Sequence, residues 1–192
     1  ALRSTLLAPA TVREFFDGGD LNKRLGSKAL APEEALRIFR ELTFALGDIH
    51  EQGILHRDLK PENLMFRSDG SLAIVDFGIA KHIDSIDQTN KGEILGTPRY
   101  MSPEQVQGRA LDLRTDIYSA GVLLYQMVTG THLFSGETAV EVALHHLNTP
   151  PPALPQDLER YQRLFDKLLE KDREARFRNA DEVLGFLSRK FY

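Results

Sequence analysis

The chain has 192 residues, 42% hydrophobic and 27% charged, enough for one packed domain of ordinary globular balance. It has no cysteine, which excludes disulfides and thiolate zinc sites, and its net charge of −4, with acids and bases interspersed, gives no footprint for nucleic acid. No apolar run approaches the roughly 20 residues of a membrane helix, and residues 1–10, broken by Arg3, Ser4 and Pro9, read poorly as a signal peptide; a cytoplasmic location is therefore expected.

In chain order, residues 12–16 form a short β-type run that ends at the breakers Asp17, Gly18 and Gly19. Asp20 is placed to cap a short helix reaching Leu25. Pro32 with Glu33 and Glu34 marks the next helix start, because proline loses little there and acids suit the positive helix end. Leu36, Phe39, Leu42, Phe44, Leu46 and Ile49 give a largely apolar helix, stopped by Gly53. Short strand-like runs are expected at 54–55, 64–66 and 72–75, with a turn at Ser68, Asp69 and Gly70. A polar segment with little periodicity covers 81–93. Beyond Thr115 helices dominate: 116–129, apolar on all sides and so buried, then amphipathic stretches at 138–147, 158–170 and 181–191. The three prolines 150–152 read as a loop rather than a polyproline ligand, and the charge run 157–178 as the wet face of a helix. The fold class expected is α+β, a predominantly helical lobe around a small β element.

Three polar clusters stand where a core has little use for them. The first is His56-Arg57-Asp58-Leu59-Lys60-Pro61-Glu62-Asn63, the second Asp76-Phe77-Gly78, the third Gly96-Thr97-Pro98-Arg99-Tyr100-Met101-Ser102-Pro103-Glu104. Phosphoryl transfer needs a divalent metal held by carboxylate and amide oxygens, a carboxylate near the attacking hydroxyl, and a cation for the moving group. Asp76 and Asn63 supply the first, Asp58 the second and Lys60 the third.

These clusters resemble the catalytic loop, the metal motif and the end of the activation segment of protein kinases. Asp116-Ile117-Tyr118-Ser119-Ala120-Gly121 resembles the central buried helix of the kinase C-terminal lobe, and Arg176 an arginine near its end. The resemblance covers nearly the whole chain. Lys60 followed by Pro61-Glu62-Asn63 is similar to the serine/threonine branch, since the tyrosine branch has alanine and arginine in that loop. The run from Gly96 to Gln105 looks most like bacterial members.

The resemblance implies protein kinase chemistry, with ATP and magnesium (manganese as the alternative) as cofactors and protein serine or threonine hydroxyls as substrate. It divides the chain into an upper-lobe remnant at 1–11, a hinge at 12–20, the catalytic-loop region at 54–66, the activation segment at 76–104 and a helical subdomain at 115–192. By the same resemblance Asp58 accepts the hydroxyl proton, Lys60 contacts the γ-phosphate, and Thr97 fixes both. Asn63 and Asp76 hold the metal. His56 and Phe77 are a structural aromatic pair under the site, Glu104 and Arg176 a buried ion pair, and Asp116 binds the catalytic-loop backbone. Glu14 and Phe16 lie at the adenine edge, Asp20 near the ribose and Met65 under the ring. Arg13 departs from the pattern, because an apolar residue is usual behind the adenine. Arg57 implies control by phosphorylation, with Thr89 as the acceptor expected to pair with it and Ser85 as the second candidate.

No Gly-x-Gly occurs and no lysine precedes the hinge. The β lobe that carries a kinase's glycine-rich loop and strand lysine is therefore expected to be largely absent, and this chain to be incomplete as an enzyme. Its expected partners are a protein substrate and that lobe or its equivalent. The alternative is an inert C-terminal lobe serving as a binding or regulatory module.

Overall fold

The computed structural model describes residues 16–26, 28–76 and 98–191. Helix α1 (Leu21–Leu25) is capped by Asp20, whose Oδ1 accepts from the Lys23 N–H at 2.9 Å. Helix α2 (Pro32–Glu51) has proline in its first turn followed by Glu33 and Glu34. It buries Leu36, Phe39, Leu42 and Leu46 along one stripe, whereas Phe44, two residues past Leu42 and so on the opposite face, is exposed. Strands β1 (Leu64–Phe66) and β2 (Leu72–Ile74) pair antiparallel, Met65 opposite Ala73, around a turn in which the Ser71 N–H donates to Asp69 Oδ1.

The expected strand at 54–55 does not form. A strand needs a neighbouring ladder, whereas the N–H groups that follow at His56 and Arg57 go to a side-chain carboxylate.

Helix α3 (Pro103–Val106) opens with a capping box between Ser102 and Gln105. Helix α4 (Leu113–Thr129) is buried on every side from Thr115 to Tyr125, as its all-round apolar sequence requires. At Gly121 a Cβ would stand 2.8 Å from Leu168 Cβ, so glycine there lets α4 lie directly on α6 (Gln162–Leu168). Helix α5 (Ala139–Asn148) is capped by Thr138, and α7 (Ala180–Lys190) by Asn179. The core is one cluster in which α2 packs against α4 and α7. The expected helix over 158–170 divides into a 3₁₀ segment, Gln156–Tyr161, followed by α6. The charge run 157–178 is accordingly not one wet face: it crosses several elements, and Arg176 within it is buried. Residues 150–152 form an irregular connection between α5 and that 3₁₀ segment.

Candidate active site

The loop after α2 is held from below by one carboxylate. Asp116, fully buried near the start of α4, accepts from the His56 N–H at 2.9 Å, the Arg57 N–H at 2.9 Å and His50 Nε2 at 2.8 Å. From the other side Gln105 Nε2 donates to the Arg57 carbonyl at 2.7 Å. With its N–H and C=O both fixed, Arg57 sits at φ +67°. That conformation costs a non-glycine residue about 1–2 kcal/mol, which the two clamps offset.

His56, with no exposed surface, joins this loop to the end of β2. Its Nδ1 accepts from the Asp58 N–H at 3.3 Å, so the proton lies on Nε2, which donates to the Val75 carbonyl at 3.1 Å. Burial holds its pKa below the ordinary histidine value although the Val75 bond opposes this, and the neutral ring is the form that this bonding requires. The Val75 N–H donates in turn to the Asn63 carbonyl at 2.9 Å. Val75 is thus pinned on both sides, and Asp76, the next residue, emerges beside the loop with an exposed side chain at φ +55°.

Within the loop, Asn63 is buried and its Nδ2 donates to the Asp58 carbonyl at 2.8 Å. A carbonyl partner can face only the NH₂ end of an amide, which leaves Oδ1 as Asn63's acceptor. Asp58 therefore has its own N–H and C=O fixed while its carboxylate is half exposed, 2.8 Å from Lys60 Nζ.

A second group anchors residues 98–106. Arg176 donates to both Glu104 oxygens, at 2.8 and 2.9 Å, and to the carbonyls of Glu170, Arg114 and Lys171. All five of its donor positions are used. Thr115 Oγ1 adds a bond to Glu104, and Tyr118 lies against the guanidinium. Burial pushes the Glu104 carboxyl up, but the bonds and charge of Arg176, joined by a backbone N–H and the Thr115 hydroxyl, together outweigh it, and the net shift is downward. Nearby, Lys171 donates to the Tyr118 hydroxyl, that hydroxyl to His146 Nδ1 at 3.0 Å, and His146 Nε2 to the Arg99 carbonyl at 3.0 Å. Ser119 Oγ holds the Tyr100 carbonyl at 2.7 Å.

On the side of the predicted hinge, the Gly18 N–H donates to the Phe66 carbonyl, the Phe66 N–H to the Gly19 carbonyl, and Asp20 bridges to Met65. A Cβ on Gly18 would come within 2.8 Å of the Phe66 side chain and carbonyl, so only glycine permits this approach. Asp20 is thereby set beside Met65 of β1, and the Phe16 ring lies 5.6 Å from the Arg67 guanidinium. Asp20 has Oδ1 committed to the α1 cap, in keeping with its capping role.

The structure thus gathers Asp58, Lys60, Asn63, Asp76, His56, Arg57 and Asp116 around one loop, with Glu104 and Arg176 behind it. Glu14, Phe77, Thr97 and Thr89, with Arg13 and Ser85, lie outside the described residues. Sequence reasoning missed two tethers, His50 and Gln105. His50 sits in the last turn of α2, just before the loop that carries Asp58, but a histidine there has an ordinary macrodipole explanation and nothing local to betray a partner 66 residues away. Gln105 reads as the second half of a capping box, which it also is.

With this geometry in view, comparison with known proteins is decisive: the protein kinase domain family matches residues 9–185. The chain belongs to the protein kinase family. It is 38% identical over 179 residues to the serine/threonine-protein kinase drp72 of Corynebacterium efficiens, which covers 92% of this chain and 34% of that protein. Identity to PknA of Corynebacterium glutamicum is 37% over 174 residues, covering 90% and 37%. To PknB of Mycobacterium leprae it is 36% over 187 residues, covering 94% and 30%. All three are named serine/threonine-protein kinases and all are bacterial. The chain spans about a third of the length of these curated relatives. A kinase domain whose described part is helical around one two-stranded sheet is the expected fold class. No helix among the described residues is long and apolar enough to cross a membrane.

Proposed function

We propose that this kinase domain transfers the γ-phosphate of ATP to serine or threonine hydroxyls of proteins, with Asp58, Lys60, Asn63 and Asp76 as its working residues. The observation that carries this reading is the double fixation of Asp58: its backbone is tied on both sides while its carboxylate stays open. Such a carboxylate is oriented for a proton yet accessible to a substrate, which a merely structural aspartate has no need to be. Asp58 would accept the hydroxyl proton, and Lys60, already beside it, would face the transferred group.

The donor set fits a hard cation. Among the described residues no three His, Cys, Asp or Glu side chains converge on one point. One carboxylate (Asp76) and one amide oxygen (Asn63) would leave the other positions to phosphate oxygens and water, as magnesium prefers. When bound, the ion supplies neutralisation of phosphate charge. These residues contain no Gly-x-Gly, so an upper lobe or its equivalent would have to close over the nucleotide; Phe16 and Met65 would line the adenine side and Asp20 the ribose side. The cytoplasm remains the expected compartment.

The test is labelled-phosphate transfer from Mg·ATP to a generic serine/threonine substrate, using the natural full-length protein beside its Asp58→Asn variant. A loss of about 10²–10⁴-fold in the variant is expected; activity retained within a few-fold would remove Asp58 from the chemistry. Regulation follows from a second observation. Arg57 Nε is buried and has no hydrogen-bond partner among the described residues, so it can receive a phosphate on Thr89. Intact mass of active protein should show phosphate at Thr89, and fully active unphosphorylated protein would sink the switch.

A further inference from the structure

A cleft of about 640 Å³ opens where the first turn of α2 meets α6 and the end of α7. Helix α2 has 20 residues, so this cleft lies about 30 Å from the catalytic loop, which follows the other end of the same helix. Its floor is apolar: Leu36 and Tyr161 are buried, and Phe191 lies 5.1 Å from Tyr161, ring to ring, and 6.3 Å from Phe186.

The rim is the opposite. Arg160 is bound to Glu33 at 2.8 Å and to the Tyr161 hydroxyl, which neutralises the one acid in the lining. That leaves Arg163, Arg189 and Lys190, all exposed and all without an ion-pair partner among the described residues. Five arginines elsewhere, Arg37, Arg114, Arg173, Arg176 and Arg178, each meet a carboxylate. Three free cations around one cleft, in a chain of net charge −4, are a local inversion of sign. Arg189 and Lys190 suit the negative end of α7, whereas Arg163 stands in the first turn of α6, which contains no acid.

From this juxtaposition of an aromatic floor and unpaired cations, we infer that the cleft is a binding site for an organic anion, a carboxylate or phosphate group on an apolar body. The volume falls in the roughly 300–1,000 Å³ range of small-molecule sites, with an apolar floor and a few charged groups to fix orientation. The guanidinium of Arg163 would take the head group in a forked contact, and the rings would take the body.

Fluorescence titration of the full chain with 2-naphthoate, 2-naphthyl phosphate and the neutral 2-naphthylmethanol tests this. Saturable one-to-one binding of an anion, at least tenfold tighter than the alcohol, is expected; the tighter of the two anions names the head group. Arg163→Gln with Arg189→Gln should weaken the anion at least tenfold and leave the alcohol and the melting temperature unchanged, and Phe191→Ala should weaken all three probes. Equal affinity for the neutral probe, anion binding untouched by the double variant, or no saturation at millimolar probe would overturn the site. Equal competition by inorganic phosphate would reduce it to a bare cluster of cations and overturn the apolar half.

Discussion

Two ion pairs in this kinase domain have the same length and opposite meaning. Lys60 and Asp58 stand 2.8 Å apart with their side chains 36% and 50% exposed; Arg176 and Glu104 stand 2.8 Å apart with theirs at 0% and 6%. At the exposed pair water screens the attraction and the side chains can leave each other at little cost. At the buried pair both charges have left water, and only complete hydrogen bonding makes that tolerable. The first is worth little to the fold, which suits the chemistry proposed for it. The second is the reverse: it fastens α3, and through Gln105 the catalytic loop, to the helical body.

The largest expected effect comes from breaking the buried pair. Arg176→Met leaves Glu104 as a buried, uncompensated charge, which costs about 3–5 kcal/mol, or on the order of 10 °C in melting temperature. Replacing Glu104 by methionine as well should not restore full stability. Three backbone carbonyls that Arg176 served would still lack partners, so about 1–3 kcal/mol of the loss should persist. Full recovery in the double variant, measured by denaturant unfolding, would show that those carbonyl bonds matter little.

A pH titration sharpens the same contrast, because the buried body carries histidines that must stay neutral. Burial lowers His146 to about 4, with Lys171 adding to the effect, and burial lowers His56 as well. Below about pH 6.5 the unfolded chain binds protons that the folded chain refuses, so stability falls as the pH drops toward 4. His146 alone should contribute a loss of about 2–3 kcal/mol between pH 7 and 4.5. Glu104, whose pKa is lowered, acts only below its ordinary value of 4.5 and so lies outside that window. His146→Gln should flatten the curve between pH 6.5 and 4.5 by that amount. An unchanged slope would mean that the Arg99 carbonyl and Tyr118 hydroxyl do not require a neutral ring.

The two regions were also unequally legible in the sequence. The helical body shows in local signals, since the Asp20 cap, the Pro32 helix start and apolar periods place α1, α2, α5 and α7 nearly to the residue. That Asp58, Asn63 and Asp76 meet around one loop could be expected only because motif spacing stands in for tertiary contact. Where no motif carries the contact, the reading fails. His50, Gln105 and His146 each bind a group between 28 and 66 residues away, and each looks locally like a cap, a helix-end cation or a surface ring. The same holds for residues 54–55, whose β-branched and apolar side chains suggest a strand while the neighbouring N–H groups are drawn to Asp116. Long-range hydrogen bonding by a single buried carboxylate leaves no periodic trace.

The smallest expected effect on stability is the most informative about the exposed pair. Lys60→Ala removes one partner of a half-exposed ion pair, and such pairs are worth about 0–1 kcal/mol. Asp58 keeps its backbone ties to His56 and Asn63 in the variant, so the loop should stay in place and unfolding should shift by less than about 0.5 kcal/mol. Phosphate transfer by the full-length protein should nevertheless fall by about 10²–10³-fold, since a positioned cation at the developing charge acts in the transition state. If instead Lys60→Ala destabilised the fold as much as Arg176→Met, the exposed pair would be a brace like the buried one. The division between a fastened scaffold and an uncommitted reactive pair would then be lost.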